Sequence, residues 1–247
     1  MMEKTKVFTL VFKTLFFLLI ALFFSWGIWN GYFSMIFTES ERFLLLLQQH
    51  LLLVVTSSLM AVAVAIPLGI FVTRPRFAKS EWFVLNTANL GQTIPVIAIL
   101  AIVMTYLGIG FNTAVFALFV FSLLPILRNT VAGLNSVDPA MKDAAKGMGL
   151  TPMQTLWRIE MPNAMFTIMA GVRTAIVMNI GTAALASLVG GGGLGDLIFA
   201  GINLRDNAYL FSGAVPVTLL ALTVDGLLRL SERIFIPKGL QEAAKSA

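Results

Sequence analysis

Long apolar stretches alternate with short polar segments along the 247-residue chain. Stretches without a charged residue cover positions 14–38, 43–73, 82–127, 174–195 and 207–224. A helix needs about 20 mostly apolar residues to cross a bilayer. The third stretch is long enough for two crossings and contains a glycine-rich break at residues 108–112. The pattern therefore predicts an all-α membrane protein with about six transmembrane helices and no separate soluble domain.

The composition and the distribution of basic residues support a membrane location and predict an orientation. Hydrophobic residues make up 58% of the chain and charged residues 12%, against about 25% charged residues in soluble domains. With the N-terminus in the cytoplasm, fourteen of the 17 lysines and arginines fall in inner segments and two in outer segments. Because cytoplasmic segments carry the excess of basic residues, both termini and the polar segment after residue 127 are expected in the cytoplasm. The net charge of +5 then gives no reason to expect a nucleic-acid partner.

The polar segment between the fourth and fifth predicted crossings carries signals for two short helices. Asp138 is suited to cap the first helix, a proline follows it, and Gly149 is suited to the left-handed position after its end. Thr151 and Gln154 have the spacing of a capping box, which predicts the start of a second helix. This second helix is expected to end before Pro162, because a proline disfavours helical backbone at the preceding residue.

Both loop helices are predicted to have an apolar face. The residues at helical spacing are Met141, Ala144, Ala145 and Met148 in the first helix and Met153, Leu156, Trp157 and Met161 in the second. Such a face either lies on the membrane surface, packs on the helix bundle, or binds a partner outside the membrane. A long structured loop between apolar helices favours the third interpretation, because a partner would explain why the loop is kept.

The loop resembles the signature of type-1 permeases of ABC importers. The residues that match this signature are Asp143, Ala144, Ala145, Gly149, Ile159, Met161 and Pro162. Aspartate stands where the family has glutamate and methionine where it has leucine, so charge and bulk are kept. In such permeases the loop docks into a groove on the ATP-binding subunit. The resemblance implies that the alanine pair and the methionine stripe form the docking face, with Gly149 as the turn.

Five further segments resemble the permeases for glycine betaine, carnitine and choline. They are residues 92–95, 124–129, 170–174, 179–183 and 192–196. The resemblance implies a permease for an osmoprotectant, with methionine or another small amino acid as the alternative, because segment 192–196 is also similar to methionine permeases. It places the permease domain at residues 43–230. Residues 1–42 then form a cytoplasmic tail, a first transmembrane helix and a periplasmic loop, and residues 231–247 form a cytoplasmic tail.

The resemblance also implies a location in the bacterial cytoplasmic (inner) membrane and a set of partners. These are an ATP-binding subunit in two copies, a second permease chain that is identical or paralogous, and an extracytoplasmic solute-binding protein. The ATPase activity belongs to the ATP-binding subunit, so the chain is not expected to be an enzyme. It has no phosphate-binding loop motif, no cysteine and one histidine, so no catalytic residue, cofactor or metal site is predicted. An autonomous channel or secondary carrier is the alternative from a different class.

Four polar residues within the apolar stretches, and one proline that can kink its helix beside two of them, are candidates for the solute pathway. They are Gln92, Thr93, Pro95, Asn179 and Thr182. Polar side chains at membrane depth need partners, so each residue either lines a pathway or bonds to a neighbouring helix.

A glycine-rich segment and three ionisable residues complete the candidates. Gly192, Gly193, Leu194 and Gly195 are expected to form a flexible exit from the fifth crossing, which moves as part of an outer gate. A short amphipathic segment with Leu194, Ile198 and Ile202 on one face follows. His50 is expected near the outer interface. Arg173 is expected at the inner end of the fifth crossing, where it either snorkels to the interface or pairs with Asp225.

Overall fold

The chain is a bundle of long helices in the computed structural model, which describes the backbone of residues 2–235 and the side chains of Thr9 and residues 12–232. Five helices are long and apolar enough to cross a membrane, and a pair of helices bent by 97° supplies a sixth crossing if it is counted as one. The helices are α1 (Met2–Trp29), α2 (Ser34–Thr38), α3 (Ser40–Val72), α4 (Ala78–Thr93), α5 (Val96–Leu107), α6 (Phe111–Asn135), α7 (Pro139–Gly147), α8 (Pro152–Thr155), α9 (Met161–Thr182), α10 (Gly195–Leu204) and α11 (Asn207–Phe235). A π-helical turn, Leu156–Glu160, joins α8 to α9, and a 3-10 helix, Ala183–Val189, follows α9. The predicted all-α architecture with about six crossings is confirmed.

Helices α3, α6 and α9 form the centre of the bundle. Leu53, Leu118 and Ile180, one from each helix, are almost completely buried in one cluster. Helix α1 lies at the periphery, where most of its described side chains are exposed, and a ring contact between Phe23 and Phe211 joins it to α11. An apolar helix with this little burial is suited to contact with lipid, because the hydrocarbon is as apolar as its side chains.

Glycines allow α6 and α9 to approach each other closely. A Cβ atom at Gly171 of α9 would lie 2.5 Å from Cβ of Asn129 and 2.8 Å from the carbonyl oxygen of Pro125. A Cβ atom at Gly133 of α6 would lie 3.0 Å from the carbonyl oxygen of Ala164. In a bilayer, association of helices depends on such close packing, because lipid offers no hydrophobic driving force. The contact between α6 and α9 is therefore one of the close helix contacts of the bundle.

The third predicted crossing is a broken pair of helices and not a single helix. Helix α4 ends at Thr93, and Ile94 has an extended backbone with ψ 128°. Pro95 explains the break, because proline lacks an N–H group and disfavours helical backbone at the residue before it. The predicted break at residues 108–112 lies between α5 and α6, and the break at Pro95 is a second one within the same apolar stretch.

The polar loop after α6 continues into the fifth crossing as an unbroken run of helical turns. Pro162 lies in the first turn of α9, directly after the π-helical turn. The π-helical turn before it brings the N–H group of Met161 to the carbonyl oxygen of Leu156. The expectation that the second loop helix ends before Pro162 is therefore wrong. The crossing begins well before residue 174, so Arg173 lies inside α9 and not at its end.

Arg173 is neutralised by two carboxylates of α11. Its guanidinium group lies 2.8 Å from Glu232 and 3.5 Å from Asp225. The expected pair with Asp225 is present, and Glu232 adds a second partner that lies beyond the last apolar stretch. Pairing replaces snorkelling, because the guanidinium group finds its counter-charges within the bundle. Residues 231–235 of the predicted cytoplasmic tail are helical, and residues 236–247 lie outside the described residues.

Replacement of Gly171 by alanine is predicted to lower the stability of the bundle by about 1–3 kcal/mol, because the added methyl group overpacks the contact with α6. Gly181→Ala is the matched control in the same helix, because nothing lies within 4 Å of its added Cβ atom. The control is expected to keep or slightly raise the melting temperature, since alanine is the better helix former. Thermal unfolding of both purified variants in detergent tests this. Equal melting temperatures would contradict the close packing of α6 and α9.

Candidate coupling surface and translocation groove

The first loop helix, α7, begins and ends as its sequence predicts. The side chain of Asp138 accepts a hydrogen bond from the N–H group of Ala140 at 2.8 Å. At the other end the N–H group of Leu150 bonds to the carbonyl oxygen of Ala145 at 3.1 Å, and that of Gly149 bonds to Lys146 at 3.0 Å. These two hydrogen bonds together form a Schellman motif. Gly149 has φ +76°, so a residue with a side chain would be strained there.

The second loop helix, α8, begins with the predicted capping box. The N–H group of Gln154 donates to the hydroxyl oxygen of Thr151 at 3.3 Å, and the N–H group of Thr151 donates to the side-chain oxygen of Gln154 at 2.8 Å. Both loop helices are thus held by local bonds, and their shape does not depend on a partner.

Several large apolar side chains of the loop are exposed. The exposed fraction is 43% for Met141, 71% for Met148, 63% for Met153 and 58% for Trp157. Together with the exposed Ala144, we call these residues the loop surface. Methionine side chains are flexible and polarizable, and they are common on surfaces that bind other proteins.

Some of the apolar side chains predicted on the faces of the loop helices point into the protein and not towards the surface. Ala145 is completely buried, and Leu156 and Met161 lie in an inner cluster with Leu134 at the end of α6. The docking role of Ala145 is therefore corrected, and the apolar face of the second helix is covered at Leu156 and Met161, because side chains covered by their own chain cannot contact a partner. Ala145 is the position where α7 packs on the rest of the molecule.

An ion pair anchors the loop to the end of α3. Glu160, in the π-helical turn, is only 7% exposed, and its carboxylate lies 2.5 Å from the guanidinium group of Arg74. Arg74 also donates to the carbonyl oxygen of Ile70 at 3.1 Å. Sequence reasoning missed this pair, because the two residues are 86 positions apart and neither lies in a local motif.

The remaining motif residues lie at the junction between the loop and the membrane. Asp143 is exposed on α7, and Ile159 is half-buried within the π-helical turn. Pro162 is exposed in the first turn of α9. The side-chain N–H group of Asn163 donates to the carbonyl oxygen of Ile159 at 2.7 Å, which ties the start of α9 back to the π-helical turn. The motif therefore spans the complete path from the loop surface to the start of α9.

An open groove lies where the broken helix faces α6 and α9. Its volume is about 570 Å³. Pro95 and Val96 at the break, Phe121 of α6, and Met178 and Thr182 of α9 are among the residues that line it. The wall is mainly apolar and includes one aromatic ring, one thioether and one hydroxyl group. Sequence reasoning missed Phe121 and Met178, which carry no signal that separates them from other apolar residues.

The five predicted pathway residues divide into two groups. Pro95 and Thr182 line the groove, and Thr93 is exposed next to it. Gln92 instead donates to the carbonyl oxygen of Phe121 at 3.2 Å and thereby joins α4 to α6.

Asn179 is a packing residue and not a pathway residue. It is completely buried, and its amide group donates to the hydroxyl oxygens of Ser57 at 3.0 Å and Ser58 at 3.2 Å. The alternative of a bond between helices is therefore correct for this residue. Thr182, three positions later, lies on the edge of the same helix that faces the groove.

The predicted outer gate is tightly packed and not a flexible exit. Leu194 is completely buried, and the N–H group of Gly193 donates to the side-chain oxygen of Gln49 at 3.1 Å. Gly192 and Gly193 have φ +75° and +93°, a backbone conformation that favours glycine. A Cβ atom at Gly195 would overlap the carbonyl oxygen of Ala184. The segment therefore packs closely against α3 and the 3-10 helix through its backbone.

Two neighbouring expectations also change. His50 is completely buried and not interfacial, with its Nε2 atom 2.9 Å from the carbonyl oxygen of Ile180. On α10 the buried side is formed by Leu197 and Gly201, whereas Ile202 is exposed. Burial raises the pKa of Asp196 in the first turn of α10, and the positive charge of Arg42 opposes that shift.

Comparisons with known proteins agree with the family resemblance and with the fold. The family model described as "Binding-protein-dependent transport system inner membrane component" matches residues 65–236. The chain is 43% identical over 193 residues to the choline transport system permease protein OpuBB of Bacillus subtilis, covering 78% of this chain and 88% of that protein. It is 44% identical over 211 residues to the osmoprotectant import permease protein OsmY of Salmonella typhimurium, covering 85% and 88%. Among solved structures, an inward-facing MetNI methionine ABC transporter matches with a TM-score of 0.72 at 22% identity, covering 80% of this chain and 97% of that chain.

Replacement of Arg74 by methionine is predicted to loosen the loop, because it leaves the Glu160 carboxylate buried without its cation. The expected loss of stability is up to about 3 kcal/mol, with faster proteolysis between residues 139 and 160. Arg76→Met is the matched control in the same turn, since Arg76 is exposed and makes no ion pair within the described residues. Adding Glu160→Leu to Arg74→Met is expected to restore most of the loss, because the unpaired charge is then removed. Proteolysis rates that do not differ between Arg74→Met and Arg76→Met would contradict the anchoring role.

Proposed function

The chain belongs to the family of binding-protein-dependent transport system inner membrane components, and we propose that it is the permease subunit of an ABC importer for an osmoprotectant such as glycine betaine, carnitine or choline. The names of relatives at 43–44% identity support this solute class. The methionine transporter supports the fold alone at 22% identity, so methionine or another small amino acid is the weaker candidate. The observation that carries the proposal is the loop surface, an exposed apolar face on a capped and anchored loop.

The loop surface is proposed as the docking site for the ATP-binding subunit. Met141, Ala144 and Met148 lie on one face of α7, and the small side chain of Ala144 lets a partner approach closely. Two copies of the ATP-binding subunit are proposed, one for each of two permease chains that are identical or paralogous. The ATPase activity lies in that subunit, and this chain contributes binding and geometry. A solute-binding protein delivers the solute at the outer face.

The location proposed for the chain is the bacterial cytoplasmic membrane, with both termini inside. The excess of lysine and arginine in the inner segments supports this orientation. The loop surface, with residues 143–162 of the motif, then faces the ATP-binding subunit in the cytoplasm. Within this arrangement residues 43–230 form the permease domain.

Helix α9 is proposed as the mechanical link between ATP and solute. It is continuous with the loop through the π-helical turn and ends beside the groove at Thr182. When ATP closes the two ATP-binding subunits, the loops move with them, and α9 transmits the movement to the groove. The binding energy of ATP then shifts the population between inward-facing and outward-facing states.

The groove suits a quaternary ammonium solute in its chemistry. Such a cation is large and weakly hydrated, and it is attracted to aromatic faces. Phe121 and Met178 supply an aromatic and a polarizable wall, and Thr182 supplies a hydroxyl group. An autonomous carrier is the second candidate, but it gives no role to the loop surface.

Met148→Glu is predicted to weaken docking of the ATP-binding subunit at least about tenfold, because a carboxylate would be buried without a partner. The residue is 71% exposed, so the variant is expected to insert and fold normally. Co-purification with the ATP-binding subunit and solute-stimulated ATPase activity of the complex measure the effect.

Gln154→Glu is the matched control for this charge, because it adds a carboxylate to the same loop and keeps the capping box. Ala145 is unsuitable for the test, since a charge at this buried position would disturb the loop itself. Full ATPase coupling in Met148→Glu would contradict the docking assignment.

Cells that carry the gene together with its partner subunits are predicted to accumulate labelled glycine betaine, carnitine or choline, whereas deletion of the gene abolishes the uptake. Labelled methionine is the comparison solute and is expected to enter at the same rate with and without the gene. Uptake that depends on the gene for methionine alone would overturn the solute class. Uptake into vesicles by this chain without ATP would instead support the autonomous carrier.

A further inference from the structure

A second cavity lies between the start of α4 and the inner half of α6. Its volume is about 470 Å³, and half of its lining is polar in character, with Glu81, Trp82 and Asn86 from α4 and Arg128 from α6. We call these four residues the inner cup. The cup follows directly after the turn that holds Arg74, so in the proposed orientation it lies at the cytoplasmic side.

The two charged groups of the inner cup have no partner within the described part of the chain. Neither Arg128 nor Glu81 makes an ion pair within 4.0 Å or a side-chain hydrogen bond there, although both line the same cavity. The contrast with Arg74 and Arg173 is clear, because both of those guanidinium groups are held by carboxylates. Arg128 is exposed and Glu81 is half-buried, so both charges are open to a ligand that carries charges of both signs.

The cup also offers an exposed indole ring. Trp82 is 73% exposed, and the adjacent Asn86 uses its amide group to bond the carbonyl oxygen of Trp82 at 2.7 Å. This bond leaves the side-chain oxygen of Asn86 available as an acceptor. Tryptophan is the best of the aromatic side chains for binding an ammonium cation.

The inner cup and the groove lie along one face of the molecule. On α6, Phe121 of the groove and Arg128 of the cup are seven residues apart, which is two helical turns or about 10 Å on the same side. On α4, the exposed Trp82, Asn86 and Thr93 lead from the cup to the break at Pro95. A solute that leaves the groove towards the cytoplasm therefore passes the cup.

The composition of α4 argues that this face borders water or protein and not lipid. The helix carries Glu81, Asn86, Asn89 and Gln92 within three turns. Amide and carboxylate groups are costly in contact with hydrocarbon, so they mark solute pathways or protein contacts. A lipid-facing helix such as α1 has no such residues in its exposed middle section, 14–28, apart from one hydroxyl at each end.

We propose that the inner cup is a cytoplasmic-side binding station for zwitterionic solutes that combine a quaternary ammonium group with a carboxylate. Arg128 binds the carboxylate, and the ring of Trp82 together with the carboxylate of Glu81 binds the ammonium group. Hydrogen bonds between a guanidinium and a carboxylate group are among the strongest in proteins. This inference rests on the proposed function and extends it, because it assigns solute selectivity to this chain.

The proposal separates two kinds of osmoprotectant. Glycine betaine and carnitine carry a carboxylate, whereas choline carries a hydroxyl group in its place. All three share the trimethylammonium group. Arg128 therefore distinguishes them, and Trp82 treats them alike.

The test is binding of labelled glycine betaine, carnitine and choline to the complete complex of permease and ATP-binding subunits in nanodiscs. The complex is kept free of nucleotide and of the solute-binding protein, so that only sites on the permease are measured. Arg128→Gln is expected to lower the affinity for glycine betaine and carnitine about tenfold or more. The affinity for choline is expected to stay within about twofold of the native value. Arg76→Gln is the matched control, an exposed arginine of the same region outside the cup, and it is expected to bind all three like the native protein.

A second variant keeps the test decisive if Arg128→Gln gives little protein. Trp82→Leu is expected to weaken all three solutes to a similar degree, whereas Trp82→Phe retains most of the binding. The station would be overturned if Arg128→Gln lost binding of all three solutes, or if it lost binding of none. It would also be overturned if the native complex bound none of them. Cellular uptake tells this failure from failure of the proposed function. Normal uptake with no binding at the cup rejects the station alone, and absent uptake of every osmoprotectant rejects the function itself.

Discussion

The carboxylate of Glu160 lies where the loop between α6 and α9 becomes a transmembrane helix, and its ion pair with Arg74 holds that junction against the end of α3. The junction is continuous because a π-helical turn accommodates Pro162, which a regular helix interior would not accept. A force applied to the loop surface therefore acts on a continuous helix and not on a flexible joint. Without this continuity the loop would move independently of α9, and movement of the proposed ATP-binding subunit would not reach the groove.

The bundle combines a close contact between two helices with a break in a third crossing. Gly133 and Gly171 bring α6 and α9 so close that a methyl group does not fit. Opposite them, Pro95 divides the third crossing into two helices bent by 97°. The groove lies between these two features, because packed helices keep their distance while the broken pair leaves backbone and side chains uncovered. A solute pathway needs both the close contact and the break. The break leaves space for the solute, and the closely packed helices transmit movement, which a uniformly flexible wall would not do.

Polar groups within the bundle fall into two classes according to whether they have a partner. Asn179 is bonded to Ser57 and Ser58, and Arg173 is paired with Glu232, so these groups hold helices together. Thr182 and the inner cup face open volumes instead. Buried polar groups are costly unless they are bonded, so groups left towards a cavity are the ones available to a solute. The same residue types thus serve stability in one place and, in the proposed function, recognition in another.

Local signals in the sequence were enough to predict the crossings, the caps at Asp138 and Thr151, the turn at Gly149 and the family motif, because each depends on neighbouring residues. The tertiary structure decided which side of each element is covered. Ala145 belongs to an apolar stripe by spacing but is buried by contact with its own chain, and Asn179 and Thr182 share a helix yet face a neighbour and a cavity respectively. The pairing of Arg74 with Glu160 and the continuation of the helix past Pro162 were equally out of reach. Periodicity gives the faces of a helix, but only long-range packing determines what each face meets.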